Sequence, residues 1–344
     1  MNFIEPLLDW YQKNARDLPW RKTRDAYRIW ISEIMLQQTR VEAVKGYYAR
    51  FLAACPDVFA LAAIDDDALN KLWEGLGYYT RARNLKKAAG VIVSEFDGAL
   101  PQSYEALLTL PGIGAYTAGA VASIAYNIPV PAVDGNVLRV MARLFDDPAP
   151  IDDAHVKQRV QDTLLLHMPK DCPGAFNQAM MELGATVCVP NGAPHCDVCP
   201  VAKFCRSKQN GTQDALPVKS AKKPRKIEEK TVFVLTKNGC PVVCQRPDRG
   251  LLARLFQLPD TAGRLSPEEM AAFVGTRGGH IAGEIRIYDR RHIFTHVEWH
   301  MRVFSAEASF SVLPDGWQYL TENHALPTAY RICLDEPESA GGTT

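Results

Sequence analysis

LPGIGAYTAGA, Leu110–Ala120, decides how the first half of this chain reads. An apolar-periodic segment, Ser103–Leu110, runs into it, and a second, Ala115–Tyr126, runs out of it. Apolar residues recur at three- and four-residue spacing in both, so the stretch predicts a helix, a tight turn and a second helix. Gly112 and Gly114 admit backbone conformations that other residues resist. Such a turn, with the helix N-terminus behind it, exposes amides that can hold a phosphate. Alone, the same sequence is equally compatible with a plain helix cap.

Its surroundings narrow the choice. Downstream stands PAVDGNVLR, with Asp134 at the start of another predicted helix beside Gly135 and Asn136. An aspartate there is an ordinary N-cap, yet a capping carboxylate still has a second oxygen to present to a ligand. Upstream stands WISEIMLQQT, Trp30–Thr39, where Glu33 lies among Ile29, Trp30, Ile31, Ile34, Met35 and Leu36. A glutamate on the wet face of an amphipathic helix is the plain reading. The sharper one is a carboxyl whose burial raises its pKa, so that it keeps a proton near neutral pH and serves as a general acid.

Nine cysteines occur, and four crowd together as Cys188-x7-Cys196-x2-Cys199-x5-Cys205. The rest are scattered, which points to a metal site plus buried thiols and not to a disulfide framework. Zinc ribbons pair two Cys-x2-Cys knuckles across a longer gap; one compact loop with a single knuckle suits an iron–sulfur cluster better.

Bulk composition agrees with a globular protein of two domains: 344 residues, 47% hydrophobic, 23% charged, 39 basic against 39 acidic residues. Zero net charge argues against a simple basic nucleic-acid binder, so DNA contacts would use local patches, backbone amides and helix ends. No apolar run is long enough to span a membrane and no leader is visible, which predicts a cytoplasmic protein. The first half reads as all-α, with helices expected over Ala26–Thr39, Thr80–Phe96, Ser103–Leu110, Ala115–Tyr126, Val137–Phe145 and Phe176–Val187. Ala215–Lys230 holds six basic and two acidic residues with two prolines and reads as a basic linker. Beyond it, TVFVLTKNGCPVVCQRP centres on Asn238-Gly239, a hairpin signal. Arg291–Ser305 reads as a second hairpin, and Ser266–Val274 as a helix opened by Ser-Pro-Glu-Glu. The expected organisation is a helical domain over 1–214, a linker over 215–230, a smaller α+β domain over 231–335 and a disordered tail over 336–344.

Together, DLPWR, WISEIMLQQT, GLGYYTRARNL, LPGIGAYTAGA, DGNVLR, FNQAMMELGA and the four cysteines cover most of Asp17–Cys205. In them the helical half resembles the helix-hairpin-helix, iron–sulfur DNA glycosylase superfamily that includes endonuclease III. Within it the chain resembles the adenine DNA glycosylase (MutY) family. RGLLARLFQLP and HIFTH resemble that family's MutT-like domain, without a Nudix hydrolase box.

The resemblance implies a base excision repair enzyme that flips out and hydrolyses adenine mispaired with 8-oxoguanine or guanine in double-stranded DNA, as a monomer. It implies Glu33 as the acid at adenine N7, Asp134 as the group that stabilises or attacks the oxocarbenium sugar, and Asn136 as the residue that orders water and Asp134. Tyr116 stands where related bifunctional enzymes carry a lysine nucleophile, which implies a monofunctional glycosylase. Trp20, Arg21, Leu36 and Gln178 would surround the flipped base, while Gln38 and Tyr78 would wedge into the stack. Phe294, Thr295 and His296 would read 8-oxoguanine, and Gly112 and Gly114 would meet the DNA backbone. Cys188, Cys196, Cys199 and Cys205 would hold one [4Fe-4S] cluster. The chain departs from the family pattern in its seven-residue first cysteine gap, in Thr295 for serine, and in Arg254, Phe256 and Gln257.

Overall fold

The computed structural model describes residues 3–221 and 224–335. Lys222 and Lys223 of the basic stretch, and the 336–344 tail expected to be disordered, lie outside the described residues. The chain divides into two compact units, Met1–Ile64 with Thr80–Lys222, and Asp65–Tyr79 with Lys223–Thr344.

The first unit is helical among the described residues. The expected helices form, trimmed or extended by their caps: Ala26–Leu36, Thr80–Glu95, Tyr104–Thr109, Ala115–Tyr126, Gly135–Phe145 and Pro173–Thr186. Ser103 caps Tyr104–Thr109 by accepting from Ala106 N at 3.1 Å. The turn that follows needs one special glycine, not two. Gly112 has φ +78°, and a Cβ there would stand 2.6 Å from Asn84 Cβ. Gly114 is extended, φ −96° and ψ 178°, so other residues fit its backbone too. One apolar cluster locks the helices behind the turn: Phe3, Leu7, Val140, Met141, Phe176 and Leu183 all belong to it, and the Phe3 and Phe176 rings lie 6.4 Å apart.

The second unit is built on a seven-stranded sheet. Its strands are β1 (Lys226–Lys237), β2 (Cys240–Gln245), β3 (Phe256–Gln257), β4 (Asp260–Ala262), β5 (Gly279–Ile293), β6 (Val297–Phe310) and β7 (Trp317–Tyr319). The order is β3-β2-β1-β6-β5, with β4 on β1 and β7 on β2. Asn238 and Gly239 turn β1 into β2 with φ +52° and +77°, as a two-residue hairpin of this sequence requires. β1 and β6 run parallel, from Lys226 opposite Val297 to Thr236 opposite Glu307. Both are central, so their apolar residues cover both faces. Val232, Val234, Met301 and Val303 share one buried cluster with Tyr330, while Phe233, Leu235 and Phe304 share another with Met270 and Val274. The latter two lie on the Pro267–Gly275 helix, started by a Ser266–Glu269 capping box. The expected second hairpin is the centre of a longer one, β5 against β6.

The basic stretch Ala215–Lys230 carries structure at both ends. Leu216 is buried, and its carbonyl accepts from Arg143 Nε at 2.9 Å, while Lys226 already begins β1. A segment from the helical half of the sequence belongs to the sheet unit: Glu74 accepts from Leu326 N at 2.9 Å and pairs with Arg331.

Candidate active site

Asp25 N-caps the Ala26–Leu36 helix. That helix packs against Ala115–Tyr126 and buries Glu33 to 5% exposure. The plain reading of Glu33 as a solvated helix residue is therefore excluded. Tyr116, in the first turn of the facing helix, donates its hydroxyl to Glu33 Oε2. The same oxygen of Tyr116 lies 3.5 Å from Met181 Sδ. Burial pushes the Glu33 carboxyl up to about 7; the Tyr116 hydrogen bond opposes the shift, the Asp134 charge adds to it, and Arg21 opposes it weakly.

Asp134 caps Gly135–Phe145 as its sequence position suggests. Oδ1 accepts from Val137 N at 2.8 Å and Oδ2 from Asn136 Nδ2 at 2.7 Å. Burial raises its pKa, and those donors pull the other way. Leu36, Gln38, Tyr116, Asp134 and Asn136 line one open cleft of about 1180 Å³. Trp20, Arg21 and Gln178 do not line it. Trp20 is buried edge-on against Tyr48, with ring centroids 5.4 Å apart. Gln178 accepts from Tyr11 Oη at 2.7 Å. Arg21 Nη2 is bound to Glu182 Oε2 at 2.7 Å.

Glu182 is a site residue that motif reading passed over. It is fully buried, yet Arg16 and Arg21 overcome the cost of burial and hold its carboxyl at about 2. Arg21 is therefore committed to Glu182 and does little to ionise Glu33. Asn177 and Arg139 were missed as well. Asn177 fixes the approach to Asp134, accepting from Ala132 N at 3.0 Å and donating to Val130 O at 2.9 Å. Arg139 donates to Asn136 Oδ1 at 2.9 Å, Gly184 O at 2.7 Å and Cys188 O at 2.8 Å. The signal available for Glu182 and Arg139 was the one used for Glu33, a charge inside an apolar helical run.

Cys188, Cys196, Cys199 and Cys205 line one cavity. Arg143 Nη1 donates to Cys188 Sγ at 3.3 Å. Burial pushes the Cys199 thiol up to about 12, and the other three cysteines add to the shift. Among the described residues no three such side chains converge on one ion position.

In the sheet unit, Phe294 anchors its loop and is not free at the surface. Its ring packs 4.8 Å from Trp299 and 4.5 Å from His292, and its carbonyl accepts from Arg225 Nε at 3.1 Å. Thr295 and His296 are exposed. Tyr78, of the same unit, is half exposed with φ +48°, and its hydroxyl lies 3.0 Å from Thr295 Oγ1.

Residues 31–164 match the HhH-GPD superfamily of base excision DNA repair proteins. The fold and the site thus define a helix-hairpin-helix base excision DNA glycosylase. A thermostable thymine-DNA glycosylase structure is similar, with TM-score 0.56 and 29% identity over 60% of this chain and 95% of that one. The adenine DNA glycosylase of Mus musculus is 35% identical over 96% of this chain and 76% of its own. That of Mycolicibacterium smegmatis is 39% identical over 69% and 81%. The chain belongs to the adenine DNA glycosylase family and is an enzyme acting on N-glycosyl bonds. Among the described residues no helix is long and apolar enough to cross a membrane.

Proposed function

We propose that the enzyme removes adenine mispaired with 8-oxoguanine or guanine, as a monomer and without cutting the strand. The observation that carries this reading is the neutral-leaning, buried Glu33, which lies behind the cleft and is hydrogen-bonded to Tyr116, whose side chain lines it with Asp134. Adenine must leave the stack to reach that cleft. Glu33 then gives its proton to N7, and the glycosidic bond breaks with its electron pair moving to the base. Positive charge develops on the sugar, where the Asp134 carboxylate stabilises or captures it and a water held by Asn136 completes hydrolysis. The division of labour is that of glycoside hydrolysis, one carboxyl neutral and one charged. Tyr116 offers no amine for a Schiff base, which supports a monofunctional enzyme.

The sheet unit is read as a MutT-like domain that recognises 8-oxoguanine through Thr295 and His296, with Phe294 as the anchor of their loop. Gln38 and Tyr78 are read as wedges, both exposed and both left-handed, with φ +59° and +48°. Gly112, Gly114 and the amides beside them are read as the phosphate contact. Trp20, Arg21 and Gln178 are read as the layer behind the base.

The four cysteines would hold a [4Fe-4S] cluster. Four cysteine sulfurs line one cavity, and four thiolates are the donor set that such a cluster takes. The cluster is a redox-capable group when bound, and no step of the hydrolysis uses it.

Single-turnover release from adenine opposite 8-oxoguanine, G, C or T tests the reading, each sample quenched with and without alkali. Release favouring 8-oxoguanine and G, with breaks only after alkali, is expected. Borohydride-trapped protein–DNA adducts would make the enzyme a lyase instead.

A further inference from the structure

The Ala26–Leu36 helix ends in carbonyls that need donors. A single side chain supplies several. Arg81, on the Thr80–Glu95 helix and buried at 9% exposure, donates from Nη1 to Ile34 O at 2.8 Å, Met35 O at 3.1 Å and Gln37 O at 2.7 Å. Its Nη2 lies 3.4 Å from Thr39 Oγ1. These acceptors bracket Gln38, whose φ of +59° is the left-handed conformation that non-glycine side chains resist. Such a conformation persists only where its surroundings over-determine it. The Gln37 side chain adds a second tether, Nε2 to Thr117 Oγ1 at 3.2 Å. Gln38 itself projects into solvent beside the cleft.

We propose that Arg81 is a positioning residue for base extrusion. It caps the helix that bears Glu33 and fixes the 37–39 turn, so that Gln38 meets the duplex as a rigid wedge. The proposal rests on the reading of Gln38 as a wedge. Lysine is a poor substitute, because a planar guanidinium reaches several carbonyls at once and an ammonium on a flexible stem does not. The guanidinium also places positive charge at the negative end of the helix dipole.

Two measurements on Arg81→Ala, Arg81→Lys and Gln38→Ala test this. In the free protein, amide exchange over residues 37–40 should quicken about tenfold in Arg81→Ala and less in Arg81→Lys, with the 27–33 amides unchanged. With DNA, release of adenine paired opposite 8-oxoguanine should fall about tenfold in Arg81→Ala, as in Gln38→Ala. Release of the same adenine opposite an abasic site, already unpaired, should fall less than about threefold. Unchanged exchange would overturn the proposal. So would an equal fall on both duplexes, since Arg81 would then serve Glu33 or the fold and not extrusion. If the wild-type enzyme released adenine from neither duplex, the functional reading would fall and take the extrusion role with it. The exchange measurement uses no DNA and still shows whether Arg81 holds the turn.

Discussion

Tyr116 donates its hydroxyl to Glu33 Oε2; Glu33 is buried and Tyr116 half-buried at the edge of the cleft. That bond sets two opposed influences on one carboxyl. Burial favours the neutral acid, and the phenol favours the anion. Burial wins, leaving Glu33 about half protonated near pH 7. The Ala115–Tyr126 helix and the helix that carries Glu33 are thus joined at that carboxyl.

Adenine release should fall as pH rises through about 7, because Glu33 then loses the proton it must donate. Stability carries the same sign. Glu33 is raised above its ordinary 4.5, so the stabilisation of its neutral form is whole below that value and gone above about 7. A pH–rate profile under single turnover, beside denaturant midpoints over the same range, checks both.

Tyr116→Phe and Glu182→Gln should move that alkaline limb in opposite directions. Removing the phenol takes away a donor to the anion and shifts the limb up. Removing the Glu182 charge frees Arg21 to favour the anion and shifts it down. Each shift should be on the order of one pH unit. Limbs that both move the same way would contradict the assignment of Arg21 to Glu182.

Gly184→Ala should impair catalysis through Asn136. A Cβ at Gly184 would stand 2.6 Å from Asn136 Cβ and 3.1 Å from its Cα, so the Asp134–Asn136 turn must shift. A misplacement of this kind costs about a hundredfold in rate when the groups are catalytic. Overpacking costs about 1–3 kcal/mol in stability. Melting curves and single-turnover rates on the same preparation separate the two effects.

Much of this was legible in the sequence, for identifiable reasons. The Asn238-Gly239 hairpin and the Ser266 capping box are local chemistry, and both appear where turn and cap residues place them. Glu33 and Asp134 stood out because a carboxyl in an apolar run and an aspartate before a helix are local signals. What was not legible depends on distant partners. The Arg16–Glu182–Arg21 network joins residues more than 160 positions apart, and no spacing rule finds it. The same holds for Asp65–Tyr79, which reads as one more piece of the helical half. Its membership in the sheet unit is set by Glu74 and its partners Arg331 and Leu326. Gly114 was over-read because glycine permits a left-handed turn without requiring one.

Thr295→Ala and Tyr78→Phe should each weaken the preference for 8-oxoguanine over guanine while leaving release opposite guanine nearly intact. Their hydroxyls form one exposed hydrogen bond, so a double-mutant cycle should give a coupling near 1 kcal/mol or less. Additive effects with no coupling would mean that the bond is idle when DNA is bound.

The central claim is that Glu33 is the acid. Single-turnover adenine release by the wild type and by Glu33→Gln, on a duplex with adenine opposite 8-oxoguanine, tests it most directly. The substituted enzyme should keep its fold and its affinity for that duplex yet lose on the order of 10²–10⁴ in rate, the usual contribution of a positioned proton donor. Release by Glu33→Gln at the wild-type rate would contradict the account.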